Sequence, residues 1–167
     1  MKKVLIICII FWNLTEVTCA APEKAQVIEL LEGRHWILDP DSFRLLGERT
    51  DIVLIEIAGD SSLINYLRFR ALEALSLFPT ENTAAFLEDS AEISAAPIVR
   101  RGFDALKNGF YKTQPKRVKK LAGRLLKHHN AQVRISAARF IRSVDAPRFK
   151  SFLKSEKHSW VRKAAQK

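Results

Sequence analysis

The chain has 167 residues, of which 47% are hydrophobic and 28% charged, and its formal net charge is +10. That length is enough for one domain with a real core, and a content of only 6 Gly and 6 Pro excludes a loop-rich β fold or a long disordered tract. The 2 cysteines, Cys8 and Cys19, both fall near the N-terminus, which excludes a disulfide framework and any Cys-based metal site or nucleophile from the rest of the chain.

The first residues read as an address. Lys2 and Lys3 form a positive start, Val4 to Trp12 is an unbroken apolar run, and a polar stretch from Asn13 leads to small residues at Thr18 and Ala20. This is the three-part pattern of a secretory signal peptide, residues 1–20, with cleavage expected after Ala20. The apolar run is shorter than the roughly 20 residues a bilayer-spanning helix needs, so no transmembrane segment is expected after cleavage. The expected location is periplasmic or secreted. A buried N-terminal helix is the alternative, which the Lys-Lys start and the missing amphipathic period oppose. Lipidation of Cys19 stays open, although Glu16 and Thr18 stand where a lipoprotein box has an aliphatic and a small residue.

Beyond residue 20, apolar residues recur at helical spacing. Ala25–Leu31 reads as a short helix ended by Gly33, and Asp39-Pro40-Asp41-Ser42 as a turn and N-cap before Phe43. Asp51–Ala58 has the β-branched richness of a strand, but a lone strand would have no partner, so a helix is expected. Residues 21–59 thus form an N-terminal helical cap. From residue 60 to 167 the chain breaks into helix pairs. Helices are expected over Leu63–Phe78, after a cap at Thr80, over Ala91–Phe110 with Pro97 in its first turns, and over Lys116–His128 opened by Gln114-Pro115. Three more follow: Val133–Val144 capped by Asn130, Arg148–Leu153 after Asp145-Ala146-Pro147, and Val161–Ala165 capped by His158 or Ser159.

The second helices of these pairs resemble one another. Leu67-Arg68-Phe69-Arg70-Ala71-Leu72-Glu73-Ala74-Leu75 fits the pattern V-R-x-x-A-x-x-A-L. Val133-Arg134-Ile135-Ser136-Ala137-Ala138-Arg139-Phe140-Ile141 fits it except for Phe140 at the second Ala, Ile98-Val99-Arg100-Arg101-Gly102-Phe103-Asp104-Ala105-Leu106 fits with one residue of slippage, and Val161-Arg162-Lys163-Ala164-Ala165 is a truncated copy. The small residue of each copy falls at Ala71, Gly102, Ala137 and Ala165, separated by 31, 35 and 28 residues. A unit of that size signals a solenoid, in which hairpins too small to bury their own apolar faces do so by stacking. The Arg of each copy is expected to pair with a turn residue before it, Asn130 with Arg134 and Asp60 with Arg68.

On these residues the chain resembles HEAT-repeat proteins of the PBS-lyase HEAT-like type, from about Asp60 to the end. The resemblance implies an all-α, α–α superhelix: a short solenoid of about four hairpins, used for protein binding, with no reaction of its own. It also implies that the second helix of each pair faces the ligand.

Nothing in the sequence reads as an active site, and no cofactor or metal is expected. His35, His128, His129 and His158 lack the i, i+4 spacing of a helical metal site, and adjacent His128 and His129 are expected to point to different sides. Asp39, Asp41, Glu88 and Asp89 are expected at turns or helix ends, where capping explains them. Trp36 and Trp160 are possible stacking residues, with Trp160 better read as a cover for the open end of the core.

Charge is the feature that stands out. Residues 21–96 hold 6 basic and 14 acidic residues, net −8, whereas residues 97–167 hold 20 basic and 3 acidic residues, net +17. A field of one sign over several helices attracts anionic partners. Two sets compete for that contact. Arg134, Arg139 and Arg142, with Arg101 on the preceding pair, belong to second helices. Lys116, Lys119, Lys120 and Arg124 belong to a first helix. The expected function is a non-catalytic exported scaffold whose basic half holds an acidic protein partner. Attachment to an anionic membrane or envelope polymer is the alternative, and nucleic-acid binding fits the charge but not the export signal.

Overall fold

The computed structural model describes residues 20–93 and 95–167. The segment expected to be a signal peptide, with Cys8 and Cys19, lies outside the described residues apart from Ala20. Among the described residues the fold is all-α. Ten helices follow one another without a strand: α1 (Lys24–Leu31), α2 (Pro40–Leu45), α3 (Thr50–Gly59), α4 (Asn65–Ala74), α5 (Glu81–Ile93), α6 (Ala96–Phe110), α7 (Pro115–Leu125), α8 (Ala131–Val144), α9 (Ala146–Ser155) and α10 (Ser159–Gln166). No described helix is long and apolar enough to cross a membrane.

Local chemistry sets the boundaries. Asp39 caps α2, its carboxylate accepting from the Asp41 N–H. Asn130 caps α8 by accepting from the Gln132 and Val133 N–H groups, and Asp145 caps α9 by accepting from Arg148 N–H. Each cap satisfies donors that the first helical turn leaves unpaired. Pro stands in the first turn of α2, α6, α7 and α9, where its missing N–H costs no hydrogen bond. The ambiguous segment Asp51–Ala58 is helical, inside α3, because its apolar residues have helices to pack on: Val53, Leu54, Ile57 and Ala58 are all buried.

Three expected helices have other limits. The segment Leu63–Phe78 is helical only over Asn65–Ala74, then tightens into a 3₁₀ turn over Leu75–Leu77. Ala91 and Glu92 belong to the end of α5, and α6 begins at Ala96 with Pro97 in its first turn. The helix expected to reach His128 stops at Leu125, and the Lys127 and His128 N–H groups close 3₁₀-type bonds onto Arg124 and Leu125.

Packing is between near neighbours in sequence. The consecutive helices α3 and α4, α5 and α6, and α7 and α8 lie against each other. The second member of each pair also packs on the second member of the next, α4 on α6, α6 on α8 and α8 on α10, while α3 packs on α5. A continuous core runs the length of the stack, from Val27 and Leu31 through Leu72, Phe103, Leu121 and Ile141 to Val161. The small residues Ala71, Gly102, Ala137 and Ala165 are all buried in it. Phe140 joins α8 to α6, meeting Phe103 edge-on at 5.7 Å and Tyr111 at 5.2 Å.

Polar ties reinforce the stack. Thr80 donates its hydroxyl to buried Asp51 at 2.7 Å and accepts from the Thr83 N–H, joining α3 to the start of α5. The expected Arg–turn pairs are replaced by others. Arg68 donates to the Ala58 carbonyl, while Asp60 is bonded to Ser62 and Lys24. Asn130 is occupied in capping its own helix, and Arg134 instead holds Glu156.

Candidate functional site

The basic side chains of the C-terminal half fall into three structural situations. The first is structural pairing across the boundary between the acidic and basic halves. Arg117 on α7 bonds Glu81 at 2.8 Å and Glu88 at 3.0 Å, both on α5, and Arg124 pairs with Glu92 one turn further along. These contacts hold Arg117 more firmly charged than an ordinary guanidinium. Glu88 therefore sits within α5 as the partner of Arg117, and Asp89 lies beside it in the same helix, so neither caps a helix end. This seam neutralises part of the charge split, but it engages few of the basic residues beyond it.

The second situation is tethering of the C-terminal helix. Arg134 is only 12% exposed at its side chain and lies on Glu156, which is 5% exposed. It also donates to the carbonyls of His128 and His129. Bonded by Arg134, Glu156 is held well below the usual carboxylate range, at about 2. Arg139 donates to the Ala164 carbonyl, and Arg142 to the carbonyls of Gln166 and Lys167. Cations at carbonyls of the last turn of α10 complement the negative end of that helix. Arg139 keeps an exposed flank on a groove of about 430 Å³ between α6 and α8, together with Arg100 and Lys107. Arg101, on α6, lies over the ring of Phe69 at 4.7 Å. The second-helix set is thus dispersed: Arg134 is locked in an ion pair at the edge of one hollow, Arg101 borders another, Arg142 serves the C-terminus, and Arg139 borders the groove between α6 and α8.

The third situation is a cleft. A cavity of about 690 Å³ opens between α7 and α9, and Lys116, Lys119, Lys120 and Arg124 all line it. Lys127 and Arg148 complete the basic wall. Its remaining surface comes from Gly123, Leu126 and Phe152, with hydroxyls from Ser151 and Ser155 and the carboxylate of Asp145. Among the described residues no carboxylate lies in ion-pair range of Lys116, Lys119, Lys120 or Lys127, and Arg148 meets only Asp145, at 3.7 Å. Arg148 belongs to a different helix from the Lys116–Arg124 set, so no periodicity within one helix could place it there. It reaches α7 because Gly123 has no side chain: a Cβ at that position would lie 2.9 Å from the guanidinium. From there Arg148 donates weakly, at 3.4 Å, to the Lys119 carbonyl.

These charges are placed against local stability. Lys116 sits in the first turn of α7, which holds no acidic residue, at the positive end of the helix dipole. Lys116, Lys120 and Arg124 repeat at i, i+4, so each sits one turn from a like charge, an arrangement that costs roughly 0.2–0.5 kcal/mol per pair. Only Arg124 of the three has its charge offset, by Glu92.

The remaining sequence candidates do not assemble. His128 and His129 lie together, ring centroids 4.1 Å apart, and do not point to different sides, because the chain turns there after α7. Burial, then the neighbouring His129, lowers the His128 pKa. His158 bonds Glu156 at 3.0 Å. Among the described residues no group of His, Cys, Asp or Glu is arranged to hold a metal. Trp36 donates its indole N–H to the Leu30 carbonyl and carries Arg70 over its ring. Trp160, expected to cover the end of the core, is 50% exposed. No protein-family model, curated protein or solved structure matches the chain.

Proposed function

We propose that this protein is an exported, non-catalytic scaffold of the HEAT-like type, an α–α superhelix that holds an acidic protein partner on its basic C-terminal half. The stacking of α4, α6, α8 and α10 through buried Ala71, Gly102, Ala137 and Ala165 supports the repeat reading, since a small residue at each contact lets successive hairpins approach closely. The observation that carries the functional reading is the row of lysines along α7, left without carboxylate partners in a chain that pairs its other interior charges carefully. A like-charged row that weakens its own helix is explained by an opposite charge that arrives from outside.

Two charge-reversed variants test the proposal in the full chain, Arg139→Glu/Arg142→Glu and Lys119→Glu/Lys120→Glu, with circular dichroism confirming that the helices survive. In-cell cross-linking of each, followed by mass spectrometry, identifies the partner. The expected result is an acidic protein captured by the wild type, released by salt, and lost from at least one variant. Equal capture by both variants, or capture that ignores salt, refutes the reading. N-terminal sequencing of the same material tests export: Ala21 as the first residue is expected, and Met1 on soluble protein refutes it. Binding of the wild type to anionic vesicles alone, with no protein captured, turns the reading to surface attachment.

A further inference from the structure

We infer that the cleft between α7 and α9 is a peptide-docking site, and that its ligand is an amphipathic acidic segment with apolar side chains flanked by carboxylates. The inference rests on the scaffold reading above and names the place and chemistry of its contact.

Two features of the cleft specify this ligand together. The rim is cationic and comes from two helices: Lys116, Lys120, Arg124 and Lys127 along α7 and its last turn, and Arg148 from α9. Charges on both sides of a cavity of about 690 Å³ can grip a chain lying between them, which a single charged helix face cannot do. The floor is different. It is made of Leu126 and the edge of Phe152, with the hydroxyls of Ser151 and Ser155 and the Asp145 carboxylate beside Arg148 at its margin. A purely anionic polymer has nothing to place on such a floor, whereas Leu or Phe side chains of a peptide do. The aliphatic stems of the lysines extend the apolar surface upward while their ammonium groups remain at the rim. Nucleic acid would engage the same rim, but phosphate recognition needs no apolar floor, and among the described lining residues no aromatic ring is free to stack on a base. Phe152 is buried to 5% exposure and offers an edge of the floor only.

Arg148 sets the width. With its guanidinium lying on Gly123 and directed at the Lys119 carbonyl, it crosses part of the cleft. The bond is long and Arg148 meets Asp145 only through Nε at 3.7 Å, so an arriving carboxylate can draw its terminal N–H groups from a weak neutral acceptor to a charged one. Gly123 leaves room for this position, and a methyl group there would make the guanidinium shift.

Fluorescence anisotropy of the full chain with three labelled probes tests the inference. The probes are a twelve-residue peptide alternating Glu with Leu, an all-Glu peptide of the same length, and a single-stranded oligonucleotide of matched charge. The Glu/Leu peptide is expected to bind at least tenfold more tightly than the other two. Lys120→Glu/Lys127→Glu should weaken it at least tenfold, while Lys150→Glu/Lys154→Glu, on α9 but outside the cleft, leaves it within twofold. Gly123→Ala should weaken its binding while the circular dichroism melt is no lower than that of the wild type. Equal binding of the all-Glu peptide or the oligonucleotide overturns the inference in favour of a simple polyanion groove. Loss of peptide binding only in Arg100→Glu/Arg139→Glu moves the site to the groove between α6 and α8, refuting the cleft and leaving the scaffold reading intact. No binding of any probe by the wild type refutes the cleft, and the cross-linking experiment then decides the scaffold reading separately.

Discussion

Arg134 on α8 and Glu156, in the turn between α9 and α10, form an ion pair of two hydrogen bonds, Nε to Oε2 at 2.7 Å and Nη2 to Oε1 at 3.1 Å, almost closed to solvent. The same carboxylate accepts from the His158 N–H, and the Glu156 carbonyl accepts from Arg162. One buried acid therefore organises the junction of three helices. Removing one member of such a pair leaves the other buried and uncompensated. Glu156→Gln is expected to lower stability by about 3 kcal/mol, read as a shift in the urea midpoint, and an unchanged midpoint would mean that Arg134 swings out to water.

The pair also predicts an acid response. The Glu156 pKa is depressed in the fold, from 4.5 to about 2. A depressed acid contributes its full stabilisation above the unfolded value and loses it as pH falls toward the folded one. The stability difference between wild type and Glu156→Gln should therefore be greatest above pH 4.5 and shrink progressively toward pH 2. A difference independent of pH across that window would assign the effect to shape rather than charge.

Two glycines on α6 should respond in opposite directions to the same methyl group. At Gly102 a Cβ would meet Leu87 at 3.8 Å, an ordinary contact, so Gly102→Ala should stabilise by about 0.5–1 kcal/mol through the smaller entropy lost in a helix. At Gly109 the Cβ would lie 2.7 Å from the Ser76 carbonyl oxygen, where backbone must move. Gly109→Ala should destabilise by about 1–3 kcal/mol. Chemical denaturation of both variants checks the pair, and a common sign would show that the packing of α6 on the Leu75–Leu77 turn is wrong.

Ala137 has no exposed surface and sits where α8 meets its neighbours. Ala137→Leu should cost about 1–3 kcal/mol by overpacking, lowering the thermal midpoint. A melt identical to the wild type would disprove the repeat register for that hairpin.

Lys116→Glu separates stability from binding. It removes a cation from the positive end of α7 and places a carboxylate one turn before Lys120, so it should stabilise by about 0.5–1 kcal/mol at low salt. The same change should weaken binding of the acidic peptide. Higher stability with lower affinity would mark the lysine as kept for its ligand; undiminished affinity would make it a solvated charge of no consequence to binding.

The all-α class, most caps and the buried small residues were legible from sequence because each rests on local rules. Helical spacing of apolar residues places α1 and α8, and Asp39, Asn130 and Asp145 announce their caps by residue type and position. Boundaries were less legible where a helix stops for reasons outside itself. Within Ala91–Phe110 Pro97 marks a first turn, but nothing assigns Ala91–Ile93 to the preceding helix, and the shortening of α7 at Leu125 is a matter of backbone bonds closing early.

By itself, the sequence determined the helical class, the apolar stripes and the separation of charge into an acidic and a basic half, all of which depend on residue type and order. Only the tertiary structure decided which charges are available. Arg134 and Lys120 read alike along the chain, as cations beside an apolar stripe, yet one is locked onto Glu156 and the other faces a cleft whose lining carboxylate, Asp145, lies by Arg148 and out of ion-pair range of the lysine. Arg148 joins Lys116 and Lys120 across 28 or more positions, and Arg117 finds Glu81 and Glu88 from equally far away. The Coulomb energy of a side chain depends on distances in space and on exposure to water, and these are set by how helices stack, not by where residues fall in the chain.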